Sequence, residues 1–171
     1  MSIQEPASVL PNSVVIALAE TGGGLERWLR LRMLLDRAVG FGPDELAGLT
    51  RELDKSLPDA ARHAAALAGF FEANAEAIDR AIGNYANGPE FNKLSERKQR
   101  WLTRIGPDYA AYGAAQARAF ASSTSTTLSN SFCDGLDAYI QEQFVACITG
   151  DSFACAAGIE AEKMLDQYGC S

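Results

Sequence analysis

The sequence predicts an all-α fold, a compact bundle of six or seven helices with a C-terminal helical hairpin stapled by two disulfides. Three observations lead there. Apolar residues recur at three- and four-residue intervals along most of the chain, without strand-like alternation. Alanine is abundant while valine and isoleucine are scarce, which favours helices in a bundle. The third is the placement of the four cysteines, all of them between Cys133 and Cys170. Cys147 and Cys155 are centred on residue 151, and Cys133 and Cys170 on the Asp151-Ser152 junction, so the two pairs nest about one turn. Cys133 to Cys147 and Cys155 to Cys170 each span close to four helical turns, or about 21 to 23 Å at ~1.5 Å per residue, which keeps both thiols of each helix on roughly one face. An antiparallel pair turning at Thr149-Gly150-Asp151 brings Cys133 beside Cys170 and Cys147 beside Cys155.

The length of 171 residues and the apolar content of 47% suit a single domain spanning 1–171, with a core that does not need disulfides to replace it. The formal charge of −7 argues against a nucleic-acid partner, for which a basic footprint is expected. Residues 133 to 171 hold seven acids and one lysine, so nearly all the net charge lies in the hairpin. That concentration is read as a solvated face, with a surface for a basic partner as the other reading.

From the beginning, residues 1–12 are polar and proline-containing and are expected to be flexible. Val14 to Ala19 is an apolar run shorter than the ~7 to 15 residue core of a signal peptide, and no Lys or Arg precedes Arg27. If Met1 is the natural start, export by the general route lacks its signal; a mature chain behind an added Met would open in this way. No stretch approaches the ~20 apolar residues of a membrane span, so membrane insertion is not expected.

After Gly22-Gly23-Gly24, residues Leu25, Trp28, Leu29, Arg32, Leu35 and Val39 form one stripe, widened by Leu31 and Leu34; Leu46, Leu49, Leu53 and Leu57 form a second. Four signals, Gly42-Pro43-Asp44, Leu57-Pro58-Asp59, Gly88-Pro89-Glu90 and Gly106-Pro107-Asp108, place proline where its missing N–H is harmless and an acid in the first turn. Each is read as a helix start. A long helix is expected from 58 to 84, with Ala60, Ala64, Leu67, Phe70, Phe71, Ala75, Ile78 and Ile82 inward. Its end falls at Gly83-Asn84 or at Asn87-Gly88-Pro89.

Residues 108 to 132 begin with a run of small side chains from Ala110 to Ala121, which suits a central helix that neighbours approach closely, with Tyr109, Tyr112, Phe120, Leu128 and Phe132 as larger anchors. The following Ser122-Ser123-Thr124-Ser125-Thr126-Thr127 weakens helix propensity. An irregular linker over 122–131 is the other reading.

Candidate chemistry is sparse. His63 is the sole histidine and has no sequence neighbour that would make it a ligand or a catalytic base, so a surface or half-buried structural role is expected. No GxSxG, HExxH, phosphate loop or dinucleotide fingerprint occurs, and no cofactor or metal is expected. The four cysteines lack a CxxC pair, and two groups about 20 Å apart along a hairpin do not converge on one zinc. Glu72, Glu76 and Asp79 fall at i, i+4 and i+7 on one helical face, the arrangement by which one acid raises another's pKa for general acid/base work; Arg80 offers Glu76 a plain ion pair instead. More informative is the segment from Phe91 to Ile105. Phe91, Leu94, Trp101, Leu102 and Ile105 trace one face, and Lys93, Arg97, Arg100 and Arg104 an adjacent cationic stripe. The stripe is read first as a solvated face whose charges do little, and otherwise as suiting an acidic partner or internal pairing with the hairpin's acids. Arg27, Arg30 and Arg37 form a looser second set.

These features point to a non-enzymatic protein-binding factor of the periplasm or secreted milieu. An inhibitor, a toxin-neutralising (immunity) protein or a secretion or envelope accessory would each act so, with Lys93, Arg97, Arg100 and Arg104 as the partner-binding candidates. Disulfides persist in such oxidising compartments, and a rigid scaffold loses less entropy on association. Two alternatives stay open. A carboxylate-dependent cell-wall or glycan hydrolase requires two acids facing one cleft. A cytoplasmic regulatory bundle requires reduced, buried cysteines.

Overall fold

The computed structural model describes residues 10–122 and 128–170, and for residues 128–131 the backbone alone. These residues form eight α-helices: α1 (Asn12–Ala19), α2 (Gly24–Asp36), α3 (Pro43–Ala73), α4 (Ala75–Ala86), α5 (Glu96–Ile105), α6 (Tyr109–Ser122), α7 (Leu128–Ile148) and α8 (Ser152–Gln167). Short 3-10 turns occupy Pro89–Lys93 and Gly106–Asp108. Only Asn74 separates α3 from α4, so the pair counted as one bent rod gives seven helices; no strand is present among the described residues. No helix among them is long and apolar enough to cross a membrane. The fold is the all-α bundle that the apolar periodicity predicts.

The chain is packed from Leu10, whose side chain is buried, and α1 begins at Asn12. Residues 1–9 of the opening expected to be flexible, and residues 123–127 of the Ser/Thr run, lie outside the described residues. Beyond them α7 is already helical at Leu128, so an irregular linker does not extend over 128–131.

Proline punctuation holds at three of the four positions. Pro43 opens α3, Pro89 opens a 3-10 turn, and Pro107 lies in the turn leading into α6. Pro58 does not start a helix; it lies inside α3. An interior proline removes one i→i−4 bond, here to the Asp54 carbonyl. Pro58 is exposed, whereas Leu53, Ser56, Ala60 and Ala64 on the opposite side are buried, so packing on both sides of it keeps one helix. The expected helix over 58–84 is instead divided at Asn74, which leaves helical geometry (φ −117°, ψ 21°) while its Nδ2 donates to the Phe70 carbonyl at 3.0 Å. Short amide side chains compete for helix backbone groups in this way. α4 then runs to Ala86, and the stop is the one at Asn87-Gly88-Pro89.

The core lies where α2, α3, α6 and α7 meet. Leu25, Leu67, Phe71, Tyr109 and Val145 are each 0% exposed; full burial of a Leu, Val or Phe side chain contributes about 1.5–3 kcal/mol. Trp28 packs edge-on to Phe120 with ring centroids 5.0 Å apart. α6 is central, as its small residues predict: Ala110, Gly113, Ala114 and Ala117 are buried. At Gly113 a Cβ would stand 2.9 Å from the Phe71 ring, so only glycine admits α3 at this distance. The stripe on α2 fades toward its end, and Val39 is 92% exposed.

At the C-terminus, α7 and α8 form the expected hairpin. Gly150 turns the chain at φ 102°, a conformation that favours glycine. Asp151 caps α8 by accepting the N–H groups of Phe153 and Ala154, each at 3.1 Å. Cys133 is bonded to Cys170 (Cα–Cα 5.5 Å) and Cys147 to Cys155 (4.6 Å), the nested arrangement. No described cysteine is free.

Candidate functional site

The predicted cationic stripe lies beside this hairpin, on a helix shorter than expected. Leu94 is extended (ψ 158°) and Ser95 caps α5, its Oγ accepting the Lys98 N–H at 3.1 Å. Lys93 therefore belongs to the preceding 3-10 turn, and Arg97, Arg100 and Arg104 alone share α5.

The stripe is partly consumed by internal pairing. Arg97 pairs with Asp166 of α8, and the Ser95 hydroxyl donates to Glu162 at 2.8 Å, so α5 is tied across to α8. Lys93 pairs with Glu90 at 3.4 Å, and Arg100 meets Glu96 at 3.9 Å, both on the surface. Arg104 is exposed, and no ion pair to a described residue involves it.

The residue that organises this region is Lys98, which the stripe does not include. It is 6% exposed. Its Nζ lies 4.6 Å from the ring centroid of Trp101 and 4.2 Å from that of Phe144, a cation held between two π-faces. Among the described residues no hydrogen-bond acceptor or ion-pair partner serves Nζ. Burial lowers its pKa to about 8, against the opposing pull of Glu162 and Asp137. Lys98 lies at i+4 from Leu94 and i−4 from Leu102, in line with the apolar face, so helical spacing alone carries it inward.

Two clefts adjoin Lys98, sharing Arg97, Ile140 and Glu162 in their walls. The first, of about 360 Å³, lies between the Arg100 and Arg104 side of α5 and a polar floor on α6 and α7. In that floor the Tyr112 hydroxyl donates to Asp137 and Gln141 Nε2 donates to the other Asp137 oxygen at 2.7 Å, while beneath it the buried Tyr109 hydroxyl donates to Gln141 Oε1 at 2.9 Å. Burial first, then the Asp137 bond and charge, raise the Tyr112 pKa far above the usual phenol range; burial likewise raises that of Tyr109, so both remain donors. The second cleft, of about 460 Å³, is mostly apolar: Leu94, Ile140, Phe144, Ala154 and Ile159 line it, and the Cys147–Cys155 bridge forms part of its wall.

His63 is not at the surface; it is 4% exposed inside α3. Its Nδ1 accepts the Leu25 N–H at 3.1 Å and its Nε2 meets Glu142 Oε2 at 2.7 Å, joining α2, α3 and α7. Thr21, also buried, donates to the same Glu142 oxygen at 3.3 Å. A smaller cleft of about 190 Å³ opens beside this pair, where Tyr139 is pushed to about 12 by burial and then by the charges of Glu26 and Glu142. Among the described residues no three His, Cys, Asp or Glu side chains are grouped to hold a metal.

The carboxylates singled out for acid/base work part company in space. Glu72 forms a two-pronged pair with Arg118, at 2.5 and 2.7 Å. Glu76 pairs with Arg80 at 3.1 Å on the surface. Asp79 turns inward and caps α6, accepting the Ala110 N–H at 2.8 Å, and burial raises its pKa. Lys98, Tyr112, Asp137 and Gln141 were not among the residues the sequence singled out for function. The signals were an ionisable residue inside an apolar stripe, at Lys98, and the 137, 141, 144, 148 spacing that lines one face of α7. No protein-family model matches the chain, and no curated protein or solved structure is significantly similar to it.

Proposed function

We infer that the protein is a non-enzymatic binding factor of an oxidising compartment, periplasmic or secreted, which docks another protein through the cationic side of α5. The observation that carries this reading is the unequal pairing along the stripe: Arg97 is committed to Asp166, while Arg104 faces outward without an ion pair to any described residue and Arg100 has only a 3.9 Å contact. Both arginines border the first cleft, whose floor offers fixed hydroxyl and amide groups. The partner is an acidic protein segment, carboxylates on the two arginines. Such a face gains mainly in encounter rate and specificity, and an inhibitor or an envelope accessory both act by this kind of docking. Two disulfides support the oxidising setting.

The test is capture of partners from the native compartment with the wild-type chain, followed by association kinetics of the captured complex with Arg100→Glu/Arg104→Glu. The variant is expected to slow association strongly at low salt and weakly at high salt. Equal kinetics at both salt levels removes this face as the docking surface.

A further inference from the structure

The side chain of Lys98 is buried, yet its ammonium opens on a cleft, and the described protein supplies it no acceptor. Its Nζ is held by two aromatic faces, which favour the charge without satisfying its three N–H donors. Glu162 attracts it through space but stands beyond ion-pair distance, with an oxygen already engaged by Ser95. Lys98 lines the larger cleft, whose apolar walls include Leu94, Ile140, Phe144, Ala154 and Ile159. The remaining basic groups there have their own carboxylates: Lys93 with Glu90, Arg97 with Asp166, Lys163 with Glu160. An apolar trough of ligand size containing one unmet donor is the usual make-up of a small-molecule site.

We propose that this cleft binds an amphipathic organic monocarboxylate, its apolar chain lying along Ile140, Phe144 and Ile159 and its carboxylate accepting from Lys98 Nζ. A carboxylate gives Lys98 charge-assisted hydrogen bonds that water-borne alcohols match less well. A single negative charge fits because Glu162 and Asp166 border the same cleft and repel a dianionic headgroup. Ile159, 57% exposed at the rim, is covered by the chain of the ligand. The site is independent of the docking reading, since it uses the inward Lys98 and the apolar cleft rather than the outward Arg100 and Arg104.

Calorimetric titration of the oxidised full chain at pH 6.5 with decanoate, decanol and decylammonium tests it. Decanoate is expected to bind at one site per chain, decanol at least about tenfold more weakly, as for loss of one charge-assisted hydrogen bond, and decylammonium weakest of all. Lys98→Met brings decanoate down to the decanol level and leaves decanol unchanged; Arg100→Glu/Arg104→Glu keeps the wild-type order of the three probes. The proposal is overturned if decanoate and decanol bind the wild type equally, if neither binds, or if Lys98→Met retains full decanoate affinity. Should that variant not fold, the headgroup series on the wild type decides alone.

Discussion

His63 and Glu142 join α3 to α7 through one buried contact of 2.7 Å, 79 residues apart in sequence. Because the Leu25 N–H points at Nδ1, the proton of the imidazole sits on Nε2 and is donated to the carboxylate. Glu142→Ala removes the acceptor and strands a buried neutral donor, and is expected to lower the unfolding free energy by about 1–3 kcal/mol. Glu142→Gln keeps an oxygen for Nε2 and should cost clearly less. Urea unfolding monitored by circular dichroism at neutral pH gives both values.

The two disulfides should contribute unequally. Cys133–Cys170 closes a loop of sequence separation 37 and Cys147–Cys155 one of 8. By loop-closure entropy these contribute about 4 and about 2.5 kcal/mol. Paired Cys→Ala variants compared by denaturant midpoint should therefore rank with the Cys133/Cys170 variant less stable. Intact mass without reductant should be about 4 Da below that of the reduced chain.

Glycines in α6 and α3 respond oppositely to an added methyl. At Gly113 it meets the wholly buried Phe71 ring at 2.9 Å, so Gly113→Ala is expected to destabilise by about 1–3 kcal/mol. Gly69 is exposed on α3 with nothing within 4 Å of its added Cβ, and Gly69→Ala should stabilise by about 0.5–1 kcal/mol. Thermal melts of the two variants, shifted in opposite directions, check the pair.

Lys98 gives stability an alkaline signature. Its pKa falls from 10.5 in the unfolded chain to about 8 in the fold. Between those values the unfolded chain holds more protons, so this residue's contribution to stability rises with pH across pH 8 to 10.5 and is at its least favourable below pH 8. Lys98→Met should be more stable than the wild type at pH 7, and the gap should close as the pH climbs to 10. Unfolding free energies of both proteins along that series give the difference, which cancels the titration of the tyrosines.

How much of this was legible beforehand depends on how local the signal is. The hairpin was, because four thiols mirrored about Asp151 leave one nested pairing that antiparallel helices can make. The central place of α6 was, because a run of small side chains around Gly113 lets neighbouring helices approach closely. Pro58 misled because a start signal and an exposed mid-helix proline look alike until the packing of Ala60 and Ala64 is known. Asn74 broke a helix that apolar spacing carried through, by a side-chain hydrogen bond that periodicity does not register. At the site, Arg97, Arg100 and Arg104 are visible as a stripe, while Lys98 falls off its spacing and in line with Leu94 and Leu102, where a basic residue carries no signal of its own. The His63–Glu142 contact had no local signal at all, since its members come from separate helices.

The cleft walls are unevenly anchored. α7 and α8 are clasped covalently at both ends and cannot slide past one another. Across from them, α5 meets α8 through the Arg97–Asp166 pair, whose side chains are 30% and 77% exposed, and the Ser95–Glu162 hydrogen bond, neither of them a covalent tie. The hairpin is thus the fixed jaw of the trough, and any widening to admit a chain falls to the α5 side.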